Sequence, residues 1–270
     1  MPTAVINVAA GHTSEPCQRL ARDLATQLGA PFNQAMHDTD PARALYTLVV
    51  AFHPEYDYQL ELHTPGNRTS PLIVDFLKGT LAHREKFGGG RGQPLARALG
   101  LKHGKSPHIV DLTAGLGRDA FIIASLGCHV NMIERNAVLH KLLEDGARRA
   151  ALAKHALFAD NPLGSPQLSL HFGDSLSLLE DIAPHKRTVI YLDPMYPGRT
   201  KSALVKKEMR ILRDLVGNDT DTEHLLISAM RYAQQRVVVK RPKKAPTLTG
   251  PAPSYNIVSK NTRYDIYNVL

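Results

Sequence analysis

The chain has 270 residues, 43% of them hydrophobic, and carries a formal net charge of +8 at pH 7. That length suits one large domain or a main domain with a smaller partner. The lack of an apolar run of about 18 residues, or of a basic start leading into an apolar block and a small-residue cleavage site, argues against a membrane span or secretory signal, so a cytoplasmic location is expected. The charge is unevenly placed: residues 1–80 sum to −3 and residues 81–270 to +11, the imbalance that a polyanionic partner such as nucleic acid favours.

Ala4 to Ala10 read as a strand, and Ser14-Glu15 start a helix in which Leu20, Leu24 and Leu28 recur until Gly29 caps it. Tyr46 to Phe52 and Tyr58 to His63 read as two more strands, completing a small α/β domain assigned to residues 1–80. Leu72 to Leu77 are apolar enough for a further strand. The loop Gly88-Gly89-Gly90-Arg91-Gly92 follows, continuing into Gln93-Pro94 where a phosphate-binding P-loop would need Gly-Lys-Ser/Thr. It reads as a mobile connection, with His83, Arg84, Lys86 and Arg91 available to a ligand or RNA. Cys17 and Cys128 have neither a disulfide nor a zinc spacing and are expected to be buried thiols, and no metal is expected.

Residues 81–270 alternate strands and helices. Ile109 to Ala120, IVDLTAGLGRDA, is a strand breaking into glycines and opening a helix. His129 to Ile133 end in Glu134-Arg135, Leu168 to Phe172 in Gly173-Asp174-Ser175, and Thr188 to Leu192 in Asp193-Pro194-Met195-Tyr196. Helices with apolar stripes follow over Leu139–Ala150, Ser202–Val216 and, from a Thr222 cap, over Leu225–Ala233. Arg236 to Lys240 is a fifth strand, and Tyr255 to Ser259 and Arg263 to Val269 fit antiparallel edge strands. Alternation of this kind predicts a parallel sheet whose ligands bind beyond the carboxyl ends of the strands, where all four motifs fall.

Gly115-x-Gly117-x-x-Ala120 with Glu134 downstream satisfies the dinucleotide fingerprint, so a nicotinamide or flavin enzyme is one reading. The same geometry suits any adenosine-bearing ligand, because a carboxylate ending the second strand can accept both ribose hydroxyls. Asp193-Pro194-Met195-Tyr196 narrows the choice. It offers a carboxylate and a carbonyl to the two N–H groups of an amine on a planar base, and an aromatic ring to stack on that base.

With these residues in hand, the sequence resembles class I S-adenosylmethionine-dependent methyltransferases, with Asp193 to Tyr196 as a variant of their Asp/Asn-Pro-Pro-Tyr motif and Met195 at the usual second proline. TAGLGRDAF, IERN, YLDPMYP, KSALVKKEMR, VVVKRP and RYDIYNV together resemble the RsmJ family of small-subunit (16S) ribosomal RNA guanine-N2 methyltransferases, from about His83 onward. The resemblance implies a Rossmann-like α/β methyltransferase sheet with helices on both faces over residues 81–270. It also implies S-adenosylmethionine as cofactor, held by Gly115, Gly117, Arg118, Asp119, Glu134, Arg135, Asp174, Ser175 and Asp193, and 16S ribosomal RNA or the small ribosomal subunit as partner. Catalysis would fall to Asp193, Pro194 and Tyr196. Arg199, Lys201, Lys206, Lys207 and Arg210 follow the fourth motif, and Lys240 and Arg241 leave the neighbouring strand end, with Lys243 and Lys244 just beyond; they are expected to contact RNA phosphates. The alternatives are an amino-group methyltransferase acting on DNA adenine or a protein amide, and a noncatalytic RNA-binding protein.

Overall fold

A computed structural model describes residues 6–34, 45–64, 70–79, 81, 83, 90–101, 106–158, 167–182, 187–195, 207–217 and 221–269. In chain order the elements begin with β1 (Ile6–Ala10), α1 (Glu15–Leu28), β2 (Phe32–Asn33), β3 (Tyr46–His53), β4 (Asp57–His63) and α2 (Pro94–Ala98). They continue with β5 (His108–Asp111), α3 (Arg118–Ser125), β6 (His129–Glu134), α4 (Ala137–Leu152), β7 (Leu168–Phe172) and α5 (Ser175–Ile182). The last are β8 (Thr188–Leu192), α6 (Lys207–Val216), α7 (Thr222–Tyr232), β9 (Arg236–Pro242), β10 (Tyr255–Val258) and β11 (Thr262–Asn268). The chain packs as two compact units. Met1–Asp75, Asn136–Ala153 and Lys201–Gly217 make the first, and Phe76–Arg135, Lys154–Thr200 and Asn218–Leu270 the second.

The first unit is built on a four-stranded sheet in the order β2-β1-β3-β4, with β1 parallel to β2 and β3, and β4 antiparallel to β3. Helix α1 buries Cys17, Ala21, Leu24 and Ala25, and Gly29 ends it at φ 59°, a left-handed conformation that glycine adopts without a Cβ clash. Helix α4 starts cleanly because the Asn136 side chain accepts from the N–H groups of Val138 and Leu139. Its Asp145 carboxylate accepts from the Leu60 N–H of β4 at 3.0 Å and from the guanidinium of Arg149 at 2.9 Å. Arg148 donates to the carbonyls of Tyr56 and Tyr58 and lies 3.7 Å over the Tyr58 ring. A polar seam of α4 is thus its attachment to this sheet.

The second unit holds a seven-stranded sheet in the order β10-β11-β9-β8-β5-β6-β7. Strands β5 to β9 are parallel, and β11 and β10 add antiparallel at one edge. Alternation along the central strands divides the sheet faces chemically. Val110, Leu112, Ile190, Leu192, Val237 and Val239 join Leu179 and Ile182 of α5 and Leu225, Leu226 and Ala229 of α7 in one apolar core. The intervening residues Asp111 and Tyr191 are cross-strand partners on the other face, and because Leu192 pairs with Val239, the next residues, Asp193 and Lys240, stand side by side on the face of Asp111 and Tyr191. Helix α3 buries Ala120 through Ala124, and Gly127 after it takes φ 92°.

The expected strand over Leu72–Leu77 does not form; Leu72 makes a single bridge to Leu62. Leu72, Val74 and Phe76 of this run are buried all the same. The Val74 carbonyl accepts from the Arg149 guanidinium, and in the second unit the Phe76 ring stacks 5.4 Å from that of Phe121. Three short elements lacked a periodic signal: β2, α2 and α5. The expected helix over Ser202–Val216 is described only from Lys207. Both cysteines are free and buried, as expected.

Candidate active site

The glycine turn after β5 is shaped by its own hydrogen bonds. Gly115 and Gly117 take φ 56° and 67°, and Gly117 donates to the Ala114 carbonyl at 2.8 Å before α3 begins at Arg118. Gly115 donates its backbone N–H to Oε2 of Glu134 at 2.9 Å, which ties the turn to the acid ending β6. A Cβ placed on Gly115 would meet only the Thr113 carbonyl oxygen, at 3.9 Å, so the turn faces open space. An open glycine face beside a buried carboxylate is suited to an adenosine-bearing cofactor such as S-adenosylmethionine.

The third strand end also belongs here. The Ser175 hydroxyl donates to the Leu112 carbonyl at 2.7 Å, which joins the start of α5 to the end of β5. Oδ1 of Asp174 accepts from the N–H groups of Leu176 and Ser177, capping α5. Arg135 forms a 2.6 Å ion pair with Asp221, the residue preceding α7.

Around the fourth strand end, three carboxylates gather on one sheet face. Asp111 is buried, and its Oδ1 accepts from the Thr113 N–H at 3.0 Å. Thr113 Oγ1 in turn accepts the Asp193 N–H at 2.7 Å, fixing the backbone that leaves β8. Oδ2 of Asp119 accepts from the Tyr191 hydroxyl at 2.7 Å and from Nζ of Lys240 at 2.6 Å. The same ammonium donates to Oδ2 of Asp193 at 2.7 Å. Burial, opposed by the Thr113 N–H and reinforced by the neighbouring Asp119 and Asp193, raises Asp111 to about 7. Burial works against the charge on Lys240, but the two carboxylates outweigh it and hold the ammonium above its ordinary value. Burial raises the Tyr191 hydroxyl, and the acids around it add to the shift.

The structure therefore collects Gly115, Gly117, Arg118, Asp119, Glu134, Asp174, Ser175, Asp193 and Pro194 at adjacent strand ends of one unit. Two of the expected phosphate contacts are placed otherwise. Lys240 is engaged by Asp119 and Asp193, and Arg241 is buried with its guanidinium on the Pro246 carbonyl. Strand β9 carries both into the sheet rather than beyond its end. In the loop before α2, Arg91 donates to Ser106 Oγ and to the Leu126 carbonyl, each at 3.0 Å, so it anchors the end of α3. Tyr196, Arg199, Lys201 and Lys206 lie outside the described residues, as do Arg84, Lys86 and the side chain of Lys207. Arg210 is exposed on α6. Thr113 and Tyr191 were missed by sequence reasoning. The available signal was alternation, since Asp111, Thr113, Tyr191 and Asp193 alternate with the apolar Val110, Leu112, Ile190 and Leu192.

Among the described residues no helix is long and apolar enough to cross a membrane, and no group of three side chains suited to a metal ion occurs. The family model for SAM-dependent methyltransferases matches residues 40–269. The ribosomal RNA small subunit methyltransferase J of Pseudomonas aeruginosa is 44% identical over 254 residues, 94% of this chain and 92% of that protein. The protein of the same name from Shewanella oneidensis is 47% identical over 245 residues, 87% of this chain and 95% of its own. A crystal structure of a SAM-dependent methyltransferase from Neisseria gonorrhoeae aligns at a TM-score of 0.67 with 30% identity, covering 97% of this chain and 95% of that one. With a glycine turn and acid that fit the cofactor and with relatives matched over nearly their whole length, the chain belongs to the SAM-dependent methyltransferase family, among the ribosomal RNA small subunit methyltransferases J.

Proposed function

We propose that this enzyme methylates the exocyclic N2 amine of a guanine in small-subunit (16S) ribosomal RNA, in the cytoplasm where that RNA is made. The observation that carries the reading is the pairing of two strand ends in one unit. The Gly115–Glu134 turn suits the cofactor, and Asp193-Pro194 presents acceptors suited to an amine. The names of the relatives supply the substrate class.

S-adenosylmethionine supplies a methyl group on a sulfonium, which leaves as a neutral thioether and so needs no metal activation. Glu134 and Asp174 would hold the ribose and adenine, and Arg118 and Asp119 begin the helix beside the methionine part. The acceptor poses the harder problem, because the guanine N2 lone pair is delocalised into the ring. Asp193 and the Pro194 carbonyl would accept the two amine hydrogens, favour a pyramidal nitrogen and stabilise the positive charge that develops on it. The proton released from that nitrogen passes to Asp193 or to water. The Asp193 side chain is 40% exposed, which leaves it reachable by an extruded base. Tyr196 would stack on that base. Arg199, Lys201, Lys206, Lys207 and Arg210 would hold the flanking phosphates.

The test is transfer of labelled methyl from S-adenosylmethionine to 16S ribosomal RNA or small subunits, with DNA and protein as competing acceptors. Label in the ribosomal RNA supports the reading. Label in DNA or protein, or none in any acceptor, overturns it.

A further inference from the structure

The ammonium of Lys240 is bonded to two of the carboxylates described at the fourth strand end. Its Nζ lies 2.6 Å from Oδ2 of Asp119 and 2.7 Å from Oδ2 of Asp193, and its side chain is 26% exposed. Two features make this more than a surface ion pair. Tyr191 donates to the same Asp119 oxygen, so the contact is one link of a chain from β8 through α3 to β9. Among the described residues nothing donates to Oδ1 of Asp193 or to the Pro194 carbonyl, which leaves those two acceptors for an incoming amine.

We propose that Lys240 is a positioning residue of the acceptor site: by engaging Oδ2 of Asp193 it orients the carboxylate so that Oδ1 and the Pro194 carbonyl receive the amine. This rests on the reading that Asp193 binds the amine. Lys240 acts through Asp193 and touches neither phosphate nor reacting atoms. It also couples the acceptor side to the helix of the cofactor side, because its second partner, Asp119, stands in the first turn of α3.

The charge has a second consequence. Asp193 is influenced by Asp111 from β5, Asp119 from α3, Tyr191 from its own strand, and Lys240 and Arg241 from β9, while Tyr264 of β11 stands opposite Lys240 and beside Tyr191. Burial and the Asp119 carboxylate raise the Asp193 carboxyl, and Lys240 is the chief group opposing them. Removing the ammonium therefore moves the ionisation of Asp193 to higher pH. Because only the carboxylate accepts both from Lys240 and from an amine, the acidic limb of the rate profile moves with it.

The test compares wild type with Lys240→Met and Lys240→Arg in two measurements. Carboxyl carbon NMR, with the Asp193 signal assigned by its loss in Asp193→Asn, reads the titration without any methyl transfer. Methylation of ribosomal RNA reads kcat, KM and their pH and salt dependence. We expect Lys240→Met to raise the Asp193 titration and the acidic limb of kcat by about one to two pH units. It should also lower kcat about 100-fold, with KM for RNA and its salt slope unchanged. Lys240→Arg should restore the limb. Should Lys240→Met not fold, Lys240→Gln, which keeps a donor without the charge, makes the same prediction for the Asp193 titration and the acidic limb. An unmoved Asp193 titration overturns the proposal whatever the enzyme methylates. So does a kcat retained at saturating RNA with a weaker salt slope, which would make Lys240 a phosphate contact. Wild type that labels no guanine N2 while the Asp193 titration still shifts would instead defeat the proposed substrate.

Discussion

Gly115 donates its backbone N–H to Glu134 over 2.9 Å, so the turn proposed to accommodate the cofactor and the acid proposed to hold its ribose are one hydrogen-bonded unit. Glu134 is 5% exposed, and truncating it would leave that N–H without its charged acceptor. Glu134→Ala is therefore expected to weaken S-adenosylmethionine binding by about 1.5–3 kcal/mol, on the order of 10- to 100-fold. Glu134→Gln, which keeps an acceptor, should lose less. Calorimetric titration of the cofactor checks both values, and equal losses for the two variants would contradict this role.

Asp111 predicts an effect of pH on stability. Its folded value, about 7, lies above the ordinary carboxylate range, so the folded protein holds this proton more tightly than the unfolded chain does. The stability from that proton is full below the unfolded value of about 4 and is lost as pH rises through about 7. Asp111→Asn keeps the acceptor for the Thr113 N–H and removes the titration. Its melting temperature relative to wild type should rise between pH 5 and pH 8; a constant difference would argue against a raised Asp111.

In the first unit, Asp145 and Arg149 are almost fully buried, with side chains 2% and 3% exposed, and Asp145 also accepts the Leu60 N–H. Asp145→Ala strands the Arg149 charge and breaks the attachment of α4 to β4. The expected loss is about 3–5 kcal/mol in denaturant unfolding. A loss below about 1 kcal/mol would mean that water or another group replaces the carboxylate.

Replacing Lys206, Lys207 and Arg210 together with alanine should weaken RNA binding and reduce the slope of log affinity against log salt by up to about 2, at about 0.7 per phosphate contact on single strands. Cofactor affinity should not change. An unchanged salt slope would remove these residues from the RNA surface.

Much of the catalytic sheet was legible because its signals are local. Glycines at Gly115 and Gly117, an acid closing β6 and Asp193-Pro194 closing β8 each follow a short apolar strand, and the structure finds those strands parallel. What stayed hidden depends on partners distant in sequence. Lys240 sits in a basic run, KRPKK, and only the β8–β9 register shows that it stands beside Asp193. Phe76 lies in a run with strand composition, yet its ring is used against Phe121. The Asp145, Arg148 and Arg149 seam of α4 looks like an ordinary solvated face until β4 and Val74 supply its acceptors and donor. Elements of two to eight residues such as β2, α2 and α5 offer too few periods for alternation to show.

The most direct test of the central claim is the identity of the methylated nucleoside. 16S ribosomal RNA from cells lacking this protein, methylated in vitro by wild type or by Asp193→Ala, would be digested to nucleosides and resolved by mass spectrometry. N2-methylguanosine from wild type and none from Asp193→Ala is the predicted result. A methyl group on any other nucleoside, or N2-methylguanosine undiminished in Asp193→Ala, would contradict the assignment of substrate or of Asp193.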